Sequence, residues 1–343
     1  MMIVYHEKAP EYAETLQDIN RPITDRISAL FCLRTIGSVE AVEGLINAFD
    51  LEDRSDLLRH EICYCLGQLN KSPEHVKIIL SFFERILKGD YTKIVLHEAV
   101  EALGNVSEEN NLQLLGRFSE EKDGILYETC FLTQKLVEWR NATQNGKLEC
   151  LNLSKLRCPT NDPAPPYNFK REPKYADVKF LESIILDNEK YDLFERYRAL
   201  FTLREINTEE AAIAVCQCLK PENSRNCSEL LKHEVAFVLG QMEEVFKPAV
   251  PYLLECVENP DEAPIVRHEV LICLGMNLDE KSRIEHFLTN PDLIVSQSCE
   301  AAIQLIEYRQ KCEEEERLKL EKEALGQLEE EEDDDDDDEE EQE

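Results

Sequence analysis

The sequence predicts an all-α protein, an α-solenoid of two pseudo-symmetric halves with about four helical hairpins in each. Three observations lead there. Apolar residues recur at three- and four-residue spacing through most of the 343 residues, and no segment shows the strict alternation of a strand. One short phrase returns four times, as LLRHEICYCLGQ, IVLHEAVEALGN, LLKHEVAFVLGQ and IVRHEVLICLGM. Its histidines lie 37 residues apart in the first half (His60, His97) and 35 apart in the second (His233, His268), a period that belongs to stacked helical hairpins. The halves also match one another. RISALFCLRTI from Arg26 returns as RYRALFTLREI from Arg196, an offset of 170, and Cys130 and Cys299 differ by 169. Duplication of a four-repeat block accounts for both levels.

Taken in order, ITDRISALFCLRTIG, AVEGLINAF and HVKIILSFFERILKG carry the apolar stripe of helices, with the first two motif phrases interleaved among them. Glycine, asparagine and proline punctuate between helices, as in LNKSPEH and TNPD. The glycine of each phrase (Gly67, Gly104, Gly240, Gly275) stands seven residues after the histidine, where it either allows a close helix–helix approach or ends the helix. The pattern breaks between about 141 and 190: CPTNDPAPPYNFKREPKY holds five prolines in eighteen residues and is no regular helix. Helix resumes with KFLESIILDNEKYD, and a charged helix follows Tyr308. The expected boundaries are therefore an N-terminal half at 1–140, a proline-containing linker at 141–190, a C-terminal half at 191–310, and a charged helix with a disordered acidic tail at 311–343.

A formal net charge of −34 argues against nucleic acid and anionic membranes as partners and favours a basic one. Fourteen of the last fifteen residues are Asp or Glu, and without them the body still carries about −20. Thirteen cysteines, with no Cys-x-x-Cys, fit reduced thiols better than zinc ligation or a disulfide framework. The N-terminus lacks the basic start and apolar core of a signal peptide, and no apolar run reaches membrane-span length, so the expected location is cytoplasmic, with the nucleus open.

Four of the seven histidines sit in the repeated phrase, each followed by a glutamate: His60–Glu61, His97–Glu98, His233–Glu234 and His268–Glu269. Successive helical residues lie about 100° apart, so each pair presents two ligand groups at one edge of a helix. The surrounding sequence is apolar, where a carboxylate is costly unless paired or metal-bound. Two motifs from each half would meet across a two-fold pseudo-axis on the concave face, giving four imidazoles and four carboxylates, enough for two metal ions. The plainer reading, a glutamate at an exposed helix start, accounts for His6–Glu7, which runs into Pro10, but not for four pairs in register. His-Glu-x-x-His fails, because Tyr64, Glu101, Phe237 and Ile272 stand four residues on. Glu-x-x-His fails as well, because Leu57, Ile94, Leu230 and Ile265 stand three before. Two histidines and a carboxylate per half suit non-haem iron; manganese and zinc stay open on residue type alone.

With its duplicated helical repeats, four His-Glu motifs and a linker containing DPAPP (Asp162 to Pro166), the chain resembles the deoxyhypusine hydroxylase family from about Thr24 to Tyr308. The resemblance implies a HEAT-repeat superhelix and a di-iron monooxygenase with two Fe(2+) ions per chain, dioxygen as co-substrate and an external electron donor. Its substrate would be the deoxyhypusine side chain of a eukaryotic translation factor precursor, a basic protein, met by a monomer. On the same ground His60, His97, Glu98, His233, His268 and Glu269 are the expected iron ligands. Glu61 and Glu234, themselves ligand candidates, would lie beside the metals and hold the cationic substrate. The basic Lys170–Arg171 pair and the acidic tail fall outside the family's pattern. The alternative is a non-catalytic HEAT-repeat scaffold that binds a basic peptide on its concave face.

Overall fold

The computed structural model describes residues 8–52, 54–69, 72–106, 109–116, 118, 124–144, 156–158 and 161–336. His6–Glu7, much of the stretch 145–160 and the acidic residues 337–343 lie outside the described residues. All the regular structure described is helical. In the first half α1 (Ala9–Gln17) pairs with α2 (Ile23–Ile36), α3 (Val39–Leu51) with α4 (Asp56–Gly67), and α5 (Pro73–Ile86) with α6 (Lys93–Val106), before the inner helix α7 (Ile125–Gln144). The second half repeats the scheme with α8 (Val178–Leu186) and α9 (Leu193–Ile206), α10 (Glu209–Cys216) and α11 (Glu229–Gly240), α12 (Val250–Glu258) and α13 (Pro264–Asn277), then α14 (Leu293–Asp336). Among the described residues no helix is long and apolar enough to cross a membrane.

The helices start where their caps place them. Ser55 and Ser228 accept from the backbone N–H of Leu58 and Leu231 at the starts of α4 and α11, each five residues before its histidine. Asp192 and Glu195 close a capping box at α9. The motif glycines serve packing rather than termination, since none has positive φ. A Cβ on Gly67 would lie 2.9 Å from Ala102 Cα on α6, and one on Gly275 2.6 Å from Ala302 Cα on α14. Close approach at these points brings the motif helices into register.

The inner helices form a ladder that closes on itself: α7 packs on α9 and α11, and α14 packs back on α2 and α4. Ser55 on the first half donates to Gln297 Oε1 on α14 at 2.7 Å. The duplicated arginines Arg26 and Arg196 are both buried, and each donates its Nε to a carbonyl of the preceding outer helix, Leu16 O and Ile185 O. Arg26 also meets the buried carboxylate of Glu52 at 2.6 Å, whereas Arg196 reaches the carbonyl of Asn226.

Candidate metal centre

The four motif helices α4, α6, α11 and α13 bring all four histidines together. Ring centroids lie 5.4 Å apart for His60–His97 and His60–His268, 5.5 Å for His97–His233 and 6.3 Å for His233–His268. The carboxylates sort by half. Glu98 Oε2 lies 3.4 Å from His60 Nε2 and 3.8 Å from His97 Nε2. Glu269 Oε2 stands in the same relation to the other half, 3.6 Å from His233 Nε2 and 3.5 Å from His268 Nε2. Each half thus assembles two imidazoles and one carboxylate. The remaining two glutamates differ from each other. Glu61 Oε1 bridges the halves, 3.3 Å from His60 Nδ1 and 3.4 Å from His268 Nε2. Glu234 is 4% exposed and lines the cavity, and no hydrogen bond or ion pair reaches it among the described residues.

This donor set fits a divalent cation. His60 Nε2, His268 Nε2 and both ring nitrogens of His97 and His233 are buried without a hydrogen-bond partner among the described residues, a costly arrangement unless something accepts their lone pairs. Burial pushes His97, His233 and His268 below their ordinary range, with neighbouring imidazoles adding to the effect. Neutral imidazole is the form that ligates metal. Triads of donor atoms lie within 4.8 Å of one another in several combinations, among them His233–His268–Glu269, His60–His97–His233 and His97–Glu98–Glu101.

The cluster borders a cavity of about 330 Å³. Its wall includes all four residues that stand four places after the motif histidines: Tyr64, Glu101, Phe237 and Ile272. Three are apolar and one is a carboxylate. Burial dominates the electrostatics, and crowded carboxyl groups add to it. Burial, then Glu101, Glu61, Glu234 and Glu269, push Glu98 up; burial, Glu101, Asp162 and Glu269 push Glu234 up. Burial and Asp162 push Glu101 to about 7, and burial with Glu61 pushes Glu269 to about 8. Burial would push Glu61 up too, but the imidazoles of His268 and His60 outweigh it and hold it below the carboxylate range. A site with this much unneutralised carboxylate stabilises positive charge, whether metal or ammonium.

All eight predicted residues converge, so the expected meeting of two motifs from each half is met in space. Three further contributors were not singled out as site residues. Glu101 entered the sequence argument only as a failed zinc-motif position. Asp162 of the DPAPP segment lines the cavity and pairs bidentately with the buried Arg204, at 2.6 and 3.1 Å. Beside it Asn161 reaches the first half, its N–H donating to Gln68 Oε1 at 3.1 Å and its side chain to Gly67 O at 3.4 Å. Arg204 in turn donates to Gln241 Oε1 at 2.8 Å. Gln68 and Gln241 close the first and third motif phrases, so the linker straps together equivalent points of the two halves at the cavity wall. The repeated LGQ ending was the available signal.

No protein-family model matches the chain. It is 34% identical over 311 residues to the deoxyhypusine hydroxylase of Rattus norvegicus, covering 89% of this chain and 94% of that protein. Against the Homo sapiens deoxyhypusine hydroxylase it is 33% identical over 309 residues, covering 89% and 93%. The solved structure of human deoxyhypusine hydroxylase in complex with glycerol superposes with a TM-score of 0.73 at 33% identity, covering 89% of this chain and 98% of that one.

Proposed function

This chain belongs to the deoxyhypusine hydroxylase family, and from that premise we propose that it hydroxylates the deoxyhypusine side chain of a translation factor precursor, using two ferrous ions per chain. The observation that carries the iron reading is the duplicated set of two buried imidazoles, each with its Nε2 free of any hydrogen bond among the described residues, and one carboxylate. His60, His97 and Glu98 would hold one ion, and His233, His268 and Glu269 the other. Ferrous iron held there would supply dioxygen activation, the overall reaction placing one oxygen atom in a C–H bond while two electrons from an external donor and two protons reduce the other to water.

The remaining residues handle the substrate. Its side chain is an alkyl diamine, cationic at both nitrogens near neutral pH. Glu234, which lines the cavity without a hydrogen bond or ion pair among the described residues, is placed to take an ammonium group, with Glu101 and Asp162 along the same wall. Tyr64, Phe237 and Ile272 offer apolar surface to the methylenes between the nitrogens. Glu61, held by His60 and His268, carries negative charge next to both ligand sets and complements the same cation. An arriving ammonium ion would displace protons from the carboxyl groups that burial and crowding have pushed up, exchanging a neutral acid for an ion pair in a partly dry site. The body's acidity would draw in a basic substrate loop to a monomeric, cytoplasmic enzyme. The halves are taken as 1–140 and 191–310, joined by 141–190 and followed by the tail at 311–343.

A non-catalytic scaffold gives no account of six buried imidazole nitrogens without a hydrogen bond among the described residues. Metal analysis of the purified chain after anaerobic iron loading, beside a variant with His60, His97, His233 and His268 all changed to Ala, tests the reading. About two irons per chain and none in the variant are expected. Fewer than one in the unmodified chain would sink it.

A further inference from the structure

Among the described residues His268 alone of the four histidines has a hydroxyl behind it. Ser298 on α14 is fully buried, and its Oγ lies 2.8 Å from His268 Nδ1. The same hydroxyl donates to the carbonyl of Ile294 at 2.6 Å. A serine carries one O–H proton. With that proton directed to Ile294, the oxygen has only lone pairs to offer the ring, so the hydrogen between Ser298 and His268 belongs to Nδ1. The neutral ring then keeps its lone pair on Nε2. That nitrogen is buried, has no hydrogen-bond partner among the described residues, and lies 3.4 Å from Glu61 Oε1 and 3.5 Å from Glu269 Oε2.

We propose that Ser298 is a positioning residue: it fixes the tautomer and rotation of His268 so that Nε2 faces the C-terminal metal position. The proposal rests on the iron reading above for its consequence, but the tautomer follows from the hydrogen bonds alone. A ligating histidine held at its other nitrogen is oriented before the metal arrives.

In the first half it is His60 whose Nδ1 is held, by Glu61 Oε1 at 3.3 Å, and His97, the counterpart of His268, lacks the device among the described residues. Thr129 stands at the equivalent place, 169 residues earlier, and makes the equivalent bond to Ile125 O at 2.7 Å. Yet His97 Nδ1 has no hydrogen-bond partner among the described residues. A hydroxyl bonded back to its own helix is common for buried Ser and Thr. What separates Ser298 from Thr129 is the second contact, to the ring. The His268 ring should therefore be held more firmly than the His97 ring.

The test uses the full-length, metal-free chain labelled at the histidine ring nitrogens, followed by anaerobic titration with ferrous iron. Nitrogen NMR should find His268 protonated at Nδ1 in the unmodified chain. Ser298→Ala should lose that signature and weaken one of the two iron-binding steps roughly 10- to 100-fold. Ser298→Thr, which keeps the hydroxyl, should restore both, whereas Thr129→Ala should leave both intact. A His268 protonated at Nε2 in the unmodified chain would overturn the proposal, as would an unchanged affinity in a folded Ser298→Ala variant. If the unmodified chain binds no iron but shows the Nδ1 proton and Ser298→Ala abolishes it, the iron reading fails and the positioning role stands.

Discussion

The two halves of this molecule carry the same ligands on the same helices, yet the residues behind those ligands have diverged. In the N-terminal half Glu61 is gripped by two imidazoles and His97 has no hydrogen-bond partner on its ring among the described residues. In the C-terminal half Glu234 faces other carboxylates and His268 is tied to Ser298. The contrast extends to the scaffold, where Arg26 meets a carboxylate and Arg196 a carbonyl. Duplication has kept the metal-facing edge alike while its supports changed, which allows one half to hold charge and the other to receive it.

The scaffold contrast should give the largest effect. Burial alone would push Glu52 up, but the N–H of Arg54, the charge of Arg26 and the N–H of Ser55 hold it below the usual carboxylate range. A depressed pKa in the folded state contributes stability that is present above the unfolded value and lost as pH falls through the folded one. Glu52→Gln leaves Arg26 buried opposite a neutral amide and should destabilise by about 3 kcal/mol at pH 7. The gap between variant and unmodified chain should narrow as unfolding is measured toward pH 3. A pH-independent gap would show that the ion pair is not what Glu52 contributes. Arg196, bonded to backbone carbonyls, should show no such acid dependence when changed to Met.

At the site, Glu234→Gln should raise KM for the deoxyhypusine substrate roughly 10- to 100-fold with iron content unchanged, as loss of a charge-assisted hydrogen bond predicts. Glu61→Gln should instead affect kcat together with KM, because its partners are themselves ligands. Equal effects from the two variants would erase the distinction between a wired and a receiving carboxylate.

The smallest contrast lies in the glycines. Gly275→Ala sets a Cβ against the backbone of α14 and should cost about 1–3 kcal/mol. Gly240→Ala would meet the tip of Met276 at 2.7 Å, a flexible end that can move, and should cost less. Thermal unfolding of the two variants side by side would reverse this order only if Met276 is more tightly held than α14.

Much of the site was legible before any coordinates, because duplication writes the same dipeptide four times and periodicity places it on stacked helices. His6–Glu7 shows that the dipeptide alone carries little. Glu101 was visible but misfiled, since a single sequence gives no reason to treat one of four equivalent positions as special until all four line one cavity. Ser298 and Thr129 are equivalent in sequence and carry the same hydroxyl. Only the placement of the His268 ring separates them.

The sequence by itself determined the helical repeat, the duplication and the eight groups that meet, since all are local or periodic properties of the chain. Tertiary structure decided which glutamate is gripped and which faces the cavity, which imidazoles are braced, and how Asn161 and Asp162 strap the halves together. Those outcomes depend on contacts between residues tens to hundreds of positions apart. Their geometry is set within a few tenths of an ångström by helix packing, and no spacing along the chain encodes it.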